Sequence, residues 1–99
     1  FDRFPVNPGH GLVIPRRHVA DIFELTESEL REVRRLLSQA RQRIAADFPA
    51  AGFNVGVNVG DAAGQTIAHA HVHLIPRYSG DVPDPTGGVR GVIPGKASY

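Results

Sequence analysis

Three of the five histidines, His69, His71 and His73, stand on alternate positions in the stretch IAHAHVHLIPR, with Ala70, Val72 and Leu74 around them. Imidazoles set this way suit two chemistries. One is metal binding, since a His-x-His pair on a strand can hold a single zinc or iron ion. A catalytic zinc site asks for three protein ligands and an acidic group behind them. The nearest carboxylates in sequence, Asp61 and Asp81, fall in turns outside this stretch. The other chemistry is acyl or phosphoryl transfer, in which one neutral imidazole attacks an electrophile while its neighbours donate or hold protons. Histidine suits that work because its ordinary pKa lies near neutrality, and crowding several imidazoles disfavours charging all of them together. A plain alternative is three polar residues on a solvated strand. That would serve for one histidine, but three in alternation beside a Gly-rich turn and the pair Gln65-Thr66 weigh toward chemistry.

The element that must carry them is a strand. Successive strand side chains point to opposite faces, so one face takes the three imidazoles, roughly 6.5 Å apart at Cα, and the other takes the apolar row. The preceding stretch FNVGVNVG, residues 53–60, alternates Phe53, Val55, Val57 and Val59 with Asn54, Gly56 and Asn58 and reads as a half-buried strand. The connection GDAAGQ is too short for a parallel crossover, so the two strands pair antiparallel, and Asn58 can then share the histidine face. Upstream, FDRFPV (residues 1–6) and GLVIP (11–15) are short strand candidates separated by the turn-forming NPG. Thr26 and Glu29 form a capping-box pattern, and Leu30, Val33, Leu37, Ala40, Ile44 and Phe48 recur at helical spacing up to Pro49. The other face of this helix carries Arg31, Arg34, Arg35, Arg41 and Arg43. No aromatics interleave with them, so a solvated face is favoured over a nucleic-acid contact. Val13, Ile14, Phe23, Leu25 and Phe53 read as core, with one or two walling a ligand pocket. His18 reads as structural, and the Gly- and Pro-rich tail from Tyr78 as a long ordered loop with a short strand at 89–93.

Ninety-nine residues with 41% hydrophobic content and a formal charge of +1 make one globular domain, residues 1–99, with no polyanion-binding tail. A chain this short buries a small fraction of its surface, and burial against a second copy would compensate; a homodimer is expected. No cysteine is present, so neither a disulfide nor a thiolate enters the chemistry. No apolar run reaches the length of a membrane span and no signal-peptide pattern begins the chain, so a cytoplasmic protein without a membrane or nucleic-acid partner is expected. FDRFPV reads like the end of a strand, as though the N-terminus were trimmed.

The run His69-Ala70-His71-Val72-His73-Leu74-Ile75 resembles the pattern of the histidine triad (HIT) superfamily, His-φ-His-φ-His-φ-φ with φ apolar. PGHGLVIPRRHV at residues 8–19, the Asn58 strand and AGQTIAHAHVHLIPR at 63–77 agree with it in order and spacing, over nearly the whole chain. The resemblance implies an α+β fold, a HIT-like antiparallel sheet of about five strands with one long helix, in which two subunits join into one continuous sheet. In such a dimer the tail of one subunit, with Arg90 or Lys96, would approach the phosphate pocket of the other. The family's N-terminal strand and its Cys-x-x-Cys zinc pair are absent from this sequence, so no structural zinc is assigned.

Carried over by position, the resemblance makes His71 the nucleophile toward the α-phosphorus of a nucleotide, forming a transient nucleotidyl-histidine. His69 falls near the bridging oxygen or leaving group, and His73 and His10 are the supporting histidines. Gln65 and Thr66 fall where phosphate oxygens and the leaving group are contacted, Asn58 at a phosphate-side amide, and Asp2 where the ribose hydroxyls are bound. No metal ligand is assigned, and the only cation the chemistry admits is magnesium accompanying a polyphosphate substrate. His73, where the nucleotidyltransferase branch has glutamine, points to hydrolases. LIPR after the histidines resembles the dinucleoside-polyphosphate side rather than typical purine nucleoside phosphoramidases. The expected function is hydrolysis at the α-phosphate of a nucleoside or dinucleoside polyphosphate. The alternatives are phosphoramidate hydrolysis, a zinc-dependent hydrolase, and a non-catalytic nucleotide-binding module.

Overall fold

The structure, a computed structural model, describes residues 1–98. Strand β1 (Gly11–Val13) leads through a 3-10 turn (Ile22–Glu24) into helix α1 (Glu27–Asp47). Strand β2 (Gly52–Gly56) follows, then a second 3-10 turn (Asp61–Ala63), strand β3 (Val72–Arg77) and a third 3-10 turn (Gly88–Val92). The sheet is antiparallel in the order β1-β3-β2, so β3 is central. The α+β class is as expected, with three strands among the described residues instead of about five.

The helix begins where its capping box predicts. The Thr26 hydroxyl accepts from the Glu29 N–H at 3.2 Å, and the Glu29 carboxylate accepts from the Thr26 N–H at 2.8 Å. Bidentate pairing with Arg17 adds to the box and holds the Glu29 carboxyl down at about 2. Val33 and Ile44 are buried on the inner face, while the five arginines named above are exposed. Val13, Val19, Leu25, Val33, Ala70 and Val72 form the core, and Ile44, Leu74 and Pro76 are fully buried.

Six expectations change. Residues 1–6 form no strand, because their ladder groups are already engaged: the N–H of Phe4 donates to the Asp2 carboxylate, that of Val6 to the His10 ring, and Pro5 has none. The histidine strand starts only at Val72. Before it, the Ala70 N–H donates to the Val19 carbonyl and the His69 carbonyl accepts from the His71 ring, which takes them from the sheet. With that partner gone, β2 stops at Gly56 and Asn58 lies beyond it. The expected strand at 89–93 is replaced by the third 3-10 turn, where Gly87 at φ +90° opens local bonds from Arg90 to Gly87 and from Ile93 to Arg90. Phe23 is 84% exposed, its place toward the core being taken by Ile22. Ile14 is half exposed, since Gly11 and Val13 take the inward positions of β1.

Candidate functional site

Although His69 and His71 precede the ladder, the alternation holds through the whole stretch. Ala70, Val72, Leu74 and Pro76 are buried, while His69, His71, His73, Ile75 and Arg77 are half-buried on the other face. The strand register sets Leu12 opposite His73 on one side and Gly56 opposite it on the other. The same register carried two residues further would bring Asn58 opposite His71; Asn58 itself is half-buried.

Each ring is held by a different device, and together these fix where the protons lie. A carbonyl can only accept, so His71 donates Nδ1–H to the His69 carbonyl at 2.9 Å and, when neutral, keeps its lone pair on Nε2. His69 donates Nε2–H to the Pro15 carbonyl at 2.9 Å, which leaves its Nδ1 open. His10 is 3% exposed, and its Nδ1 accepts from the Val6 N–H at 3.2 Å. Its proton is therefore on Nε2, directed at His73 Nδ1 2.9 Å away. The His71 and His73 rings meet edge to face with centroids 5.1 Å apart, so His10, His73 and His71 form a continuous row.

Asp2 closes this row from the opposite end of the sequence. Its Oδ2 lies 3.3 Å from His10 Nε2 and 4.0 Å from His73 Nδ1, and its N–H donates to the His10 carbonyl. The Phe4 N–H, followed by the nearby imidazoles, holds the Asp2 carboxyl below its ordinary pKa. Burial lowers the His73 pKa and the neighbouring rings His10 and His71 add to this, with Asp2 opposing, so His73 favours the neutral form.

Asp2, His10 and His73 are also the one group among the described residues whose ligand atoms could hold a metal, all lying within 4.8 Å of one another. A tetrahedral zinc with bonds of 2.0–2.1 Å sets its ligands about 3.3 Å apart. The two nitrogens here, at 2.9 Å, fit a shared proton better.

Other predicted residues sit differently. The Gln65 amide accepts from the Gly60 N–H and donates to the Ala20 and Ile67 carbonyls, so here it ties the Gly-rich turn to the loop before α1. Thr66 is exposed. His18, read as structural, brings its ring to 4.5 Å from that of His69, a contact to which only the PRRH stretch could have pointed. Sequence reasoning also missed Pro15, whose carbonyl orients His69; no residue type marks a position that acts through its backbone. A cleft of about 540 Å³ between β1 and α1, lined by Phe1, Leu12, Ile14, Leu36, Ala40 and Arg43 among others, contains none of the histidines.

A three-stranded antiparallel sheet packed on one helix, presenting three alternating histidines backed by a fourth, defines a histidine-based site on an α+β fold. The chain belongs to the HIT family: the HIT domain matches residues 1–80. It is 44% identical over 77 residues to bis(5'-nucleosyl)-tetraphosphatase [asymmetrical] of Schizosaccharomyces pombe, covering 78% of this chain and 42% of that protein. It is 42% identical over 79 residues to the AP-4-A phosphorylase of Mycobacterium tuberculosis, covering 79% and 40% respectively. Among solved structures, a hypothetical histidine triad nucleotide-binding protein from Sulfolobus tokodaii superimposes with a TM-score of 0.76 at 40% identity, covering 84% of this chain and 56% of that one. The chain thus spans less than half the length of these two curated relatives. No helix among the described residues is long and apolar enough to cross a membrane.

Proposed function

We propose that this chain carries the catalytic site of a nucleotide hydrolase that cleaves at the α-phosphate of a nucleoside or dinucleoside polyphosphate. The observation that carries the reading is the tether of His71 Nδ1 to the His69 carbonyl, which leaves Nε2 as the lone-pair nitrogen on an oriented ring. His71 Nε2 attacks the α-phosphorus, an N–P bond forms, and the bond from phosphorus to the leaving oxygen breaks. His69, when protonated on its open Nδ1, neutralises or protonates that oxygen. Water then attacks the phosphorus, the N–P bond breaks, and the nucleoside monophosphate leaves. His10 donates to His73 next to the nucleophile and fixes that ring's orientation, and the resemblance gives Asn58, Gln65, Thr66 and Asp2 to substrate binding.

The names of the two relatives support a dinucleoside polyphosphate as substrate, and they differ in a way that bears on the second step. Phosphorolysis, with inorganic phosphate in place of water as acceptor, is favoured by the likeness to the AP-4-A phosphorylase. Turnover of diadenosine tetraphosphate with and without inorganic phosphate separates the two, since water yields AMP at the attacked end and phosphate yields ADP. Acid-quenched protein should carry one adenylate on the peptide containing His71. Equal or better turnover of an adenosine phosphoramidate would move the assignment to the phosphoramidase alternative, and AMP binding without turnover of any substrate would make the chain a binding module. We further infer a two-fold homodimer that uses α1 and the outer edge of β2, where Val55 is half exposed; a monomer mass by light scattering would contradict it.

A further inference from the structure

We propose that Asp81, on the turn after β3, is a positioning residue for the His10–His73 pair that acts through Asn7, and that Arg77 serves this clamp rather than a substrate phosphate. The proposal rests on the reading of the histidines as catalytic.

Arg77 ends β3 and is the basic group nearest in sequence to the histidines, which makes it a natural phosphate ligand on paper. Every nitrogen of its guanidinium is engaged elsewhere. Nε and Nη2 make a bidentate pair with the two oxygens of Asp81, each at 2.9 Å, and Nη1 donates to Asn54 Oδ1 on β2 at 2.7 Å. With its charge matched by the Asp81 carboxylate and three of its five N–H groups taken by Asp81 and Asn54, this guanidinium is oriented by the fold rather than toward an anion.

Asp81 has a second client. Its Oδ2 also accepts from the Asn7 side-chain amide at 2.8 Å and from the Tyr78 N–H at 3.1 Å, while the same Asn7 amide donates to the carbonyl of fully buried Pro76 at 3.0 Å. Tyr78 adds its hydroxyl to the Pro8 carbonyl at 2.6 Å. The turn following the central strand therefore grips residues 7–8. Asn7 in turn accepts the His10 N–H at 3.1 Å, and Gly9, at φ +85°, is pressed so close to the end of α1 that a Cβ there would meet Phe48 at 3.1 Å. The turn thus has one seat, and His10 leaves it aimed at His73. Both members of the pair hang on the same clamp: His73 from within β3, His10 from the turn that the end of β3 holds. Asp81 touches no reacting atom. Its effect on chemistry is through the angle and distance of the His10 Nε2–H to His73.

The test uses Asn7→Ala, which cuts the link and keeps the Arg77–Asp81 pair, together with Asp81→Asn and the double variant. Glu32→Gln, which breaks an exposed ion pair with Arg35 on the far face of α1, is the control. Histidine ring ¹⁵N signals report the tautomers in the free protein, without substrate. We expect the His10 and His73 signals to move in both single variants, while those of His69 and His71 hold. With diadenosine tetraphosphate, kcat should fall about ten- to a hundred-fold, the effect expected of a sub-ångström misplacement, with KM within about two-fold. The double variant should be no worse than the poorer single one, because both cut the same path. Unmoved ring signals in Asn7→Ala, a rise in KM with kcat unchanged, or additive losses would each overturn the clamp. Should Asp81→Asn fail to fold, Asn7→Ala decides alone. A wild-type protein inert toward every nucleotide, with ring signals that still move in the variants, would sink the catalytic reading and leave the clamp standing.

Discussion

The four histidines of the site divide into two pairs held in opposite ways. His69 and His71 are each tied by one nitrogen to a backbone carbonyl, Pro15 and His69 respectively, and each keeps its second nitrogen open. His10 and His73 are tied to one another, with a backbone N–H behind and the Asp2 carboxylate alongside. An open nitrogen that carries the lone pair can attack, whereas His10 has both nitrogens engaged and, by donating Nε2–H to His73 Nδ1, leaves the proton of a neutral His73 on Nε2, so neither ring of this pair offers a free lone pair. The site is thus graded, from a buried end at His10 to His71 and His69, whose rings keep an open nitrogen.

The sharpest way to break this division is at His71. His71→Ala should lower turnover by about a thousand-fold or more while AMP still binds, because the nucleophile goes and the rest of the pocket stays. Near-normal turnover in steady-state assays would end the division outright. One step down, His10→Ala and His73→Ala should each cost about a hundred-fold, and the double variant little more than either, since the pair acts as a unit. If His10→Ala cost as much as His71→Ala, the two ends would not differ in kind.

Smaller still is a stability effect that belongs to the supporting pair. The His73 pKa is lowered from 6.5, so between that value and the folded one the unfolded chain binds more protons. The contribution is fully present above about 6.5 and is lost as pH falls through the folded value. Melting temperature followed downward from pH 7.5 should therefore drop more steeply in the wild type than in His73→Gln; parallel profiles would show that the ring is not held neutral by the fold. The least effect is expected from chelation. Hydrolysis of a phosphoramidate, which brings no polyphosphate-bound magnesium, should be unchanged by EDTA, and activity that vanishes and returns with zinc would turn the Asp2, His10 and His73 cluster into a metal site.

Much of this could be read from the sequence, and the failures are instructive. The capping box at Thr26 and Glu29 and the apolar spacing of Val33 and Ile44 rest on bonds and contacts within a few residues, and the helix forms as they predict. The alternation of His69, His71 and His73 gave the correct face for each ring, yet not the start of β3. The His71 ring competes for the His69 carbonyl, and no strand pattern contains that competition. Residues 1–6 failed for the same reason, since Asp2 and His10 take the N–H groups that a ladder would need. Gln65, placed at a phosphate contact by resemblance alone, also ties Gly60, Ala20 and Ile67 together through its amide, a local role that no motif announces.

By itself the sequence determined the family, the helix, the antiparallel pairing of the two strands after it and the face shared by the three histidines. Each of these follows from a period or a motif within a short span of chain. Only the tertiary structure decided which nitrogen of each ring is open, that Asp2 stands beside His10, and that Arg77 is closed on Asp81. Several depend on contacts between residues far apart in sequence, 63 positions for His10 with His73, 54 for His69 with Pro15 and 74 for Asn7 with Asp81, while nearer pairs such as Arg77 with Asp81 meet through turns that no periodicity announces. Proton placement on an imidazole is set by whether its partner donates or accepts, and that partner is known only once the chain has folded back upon itself.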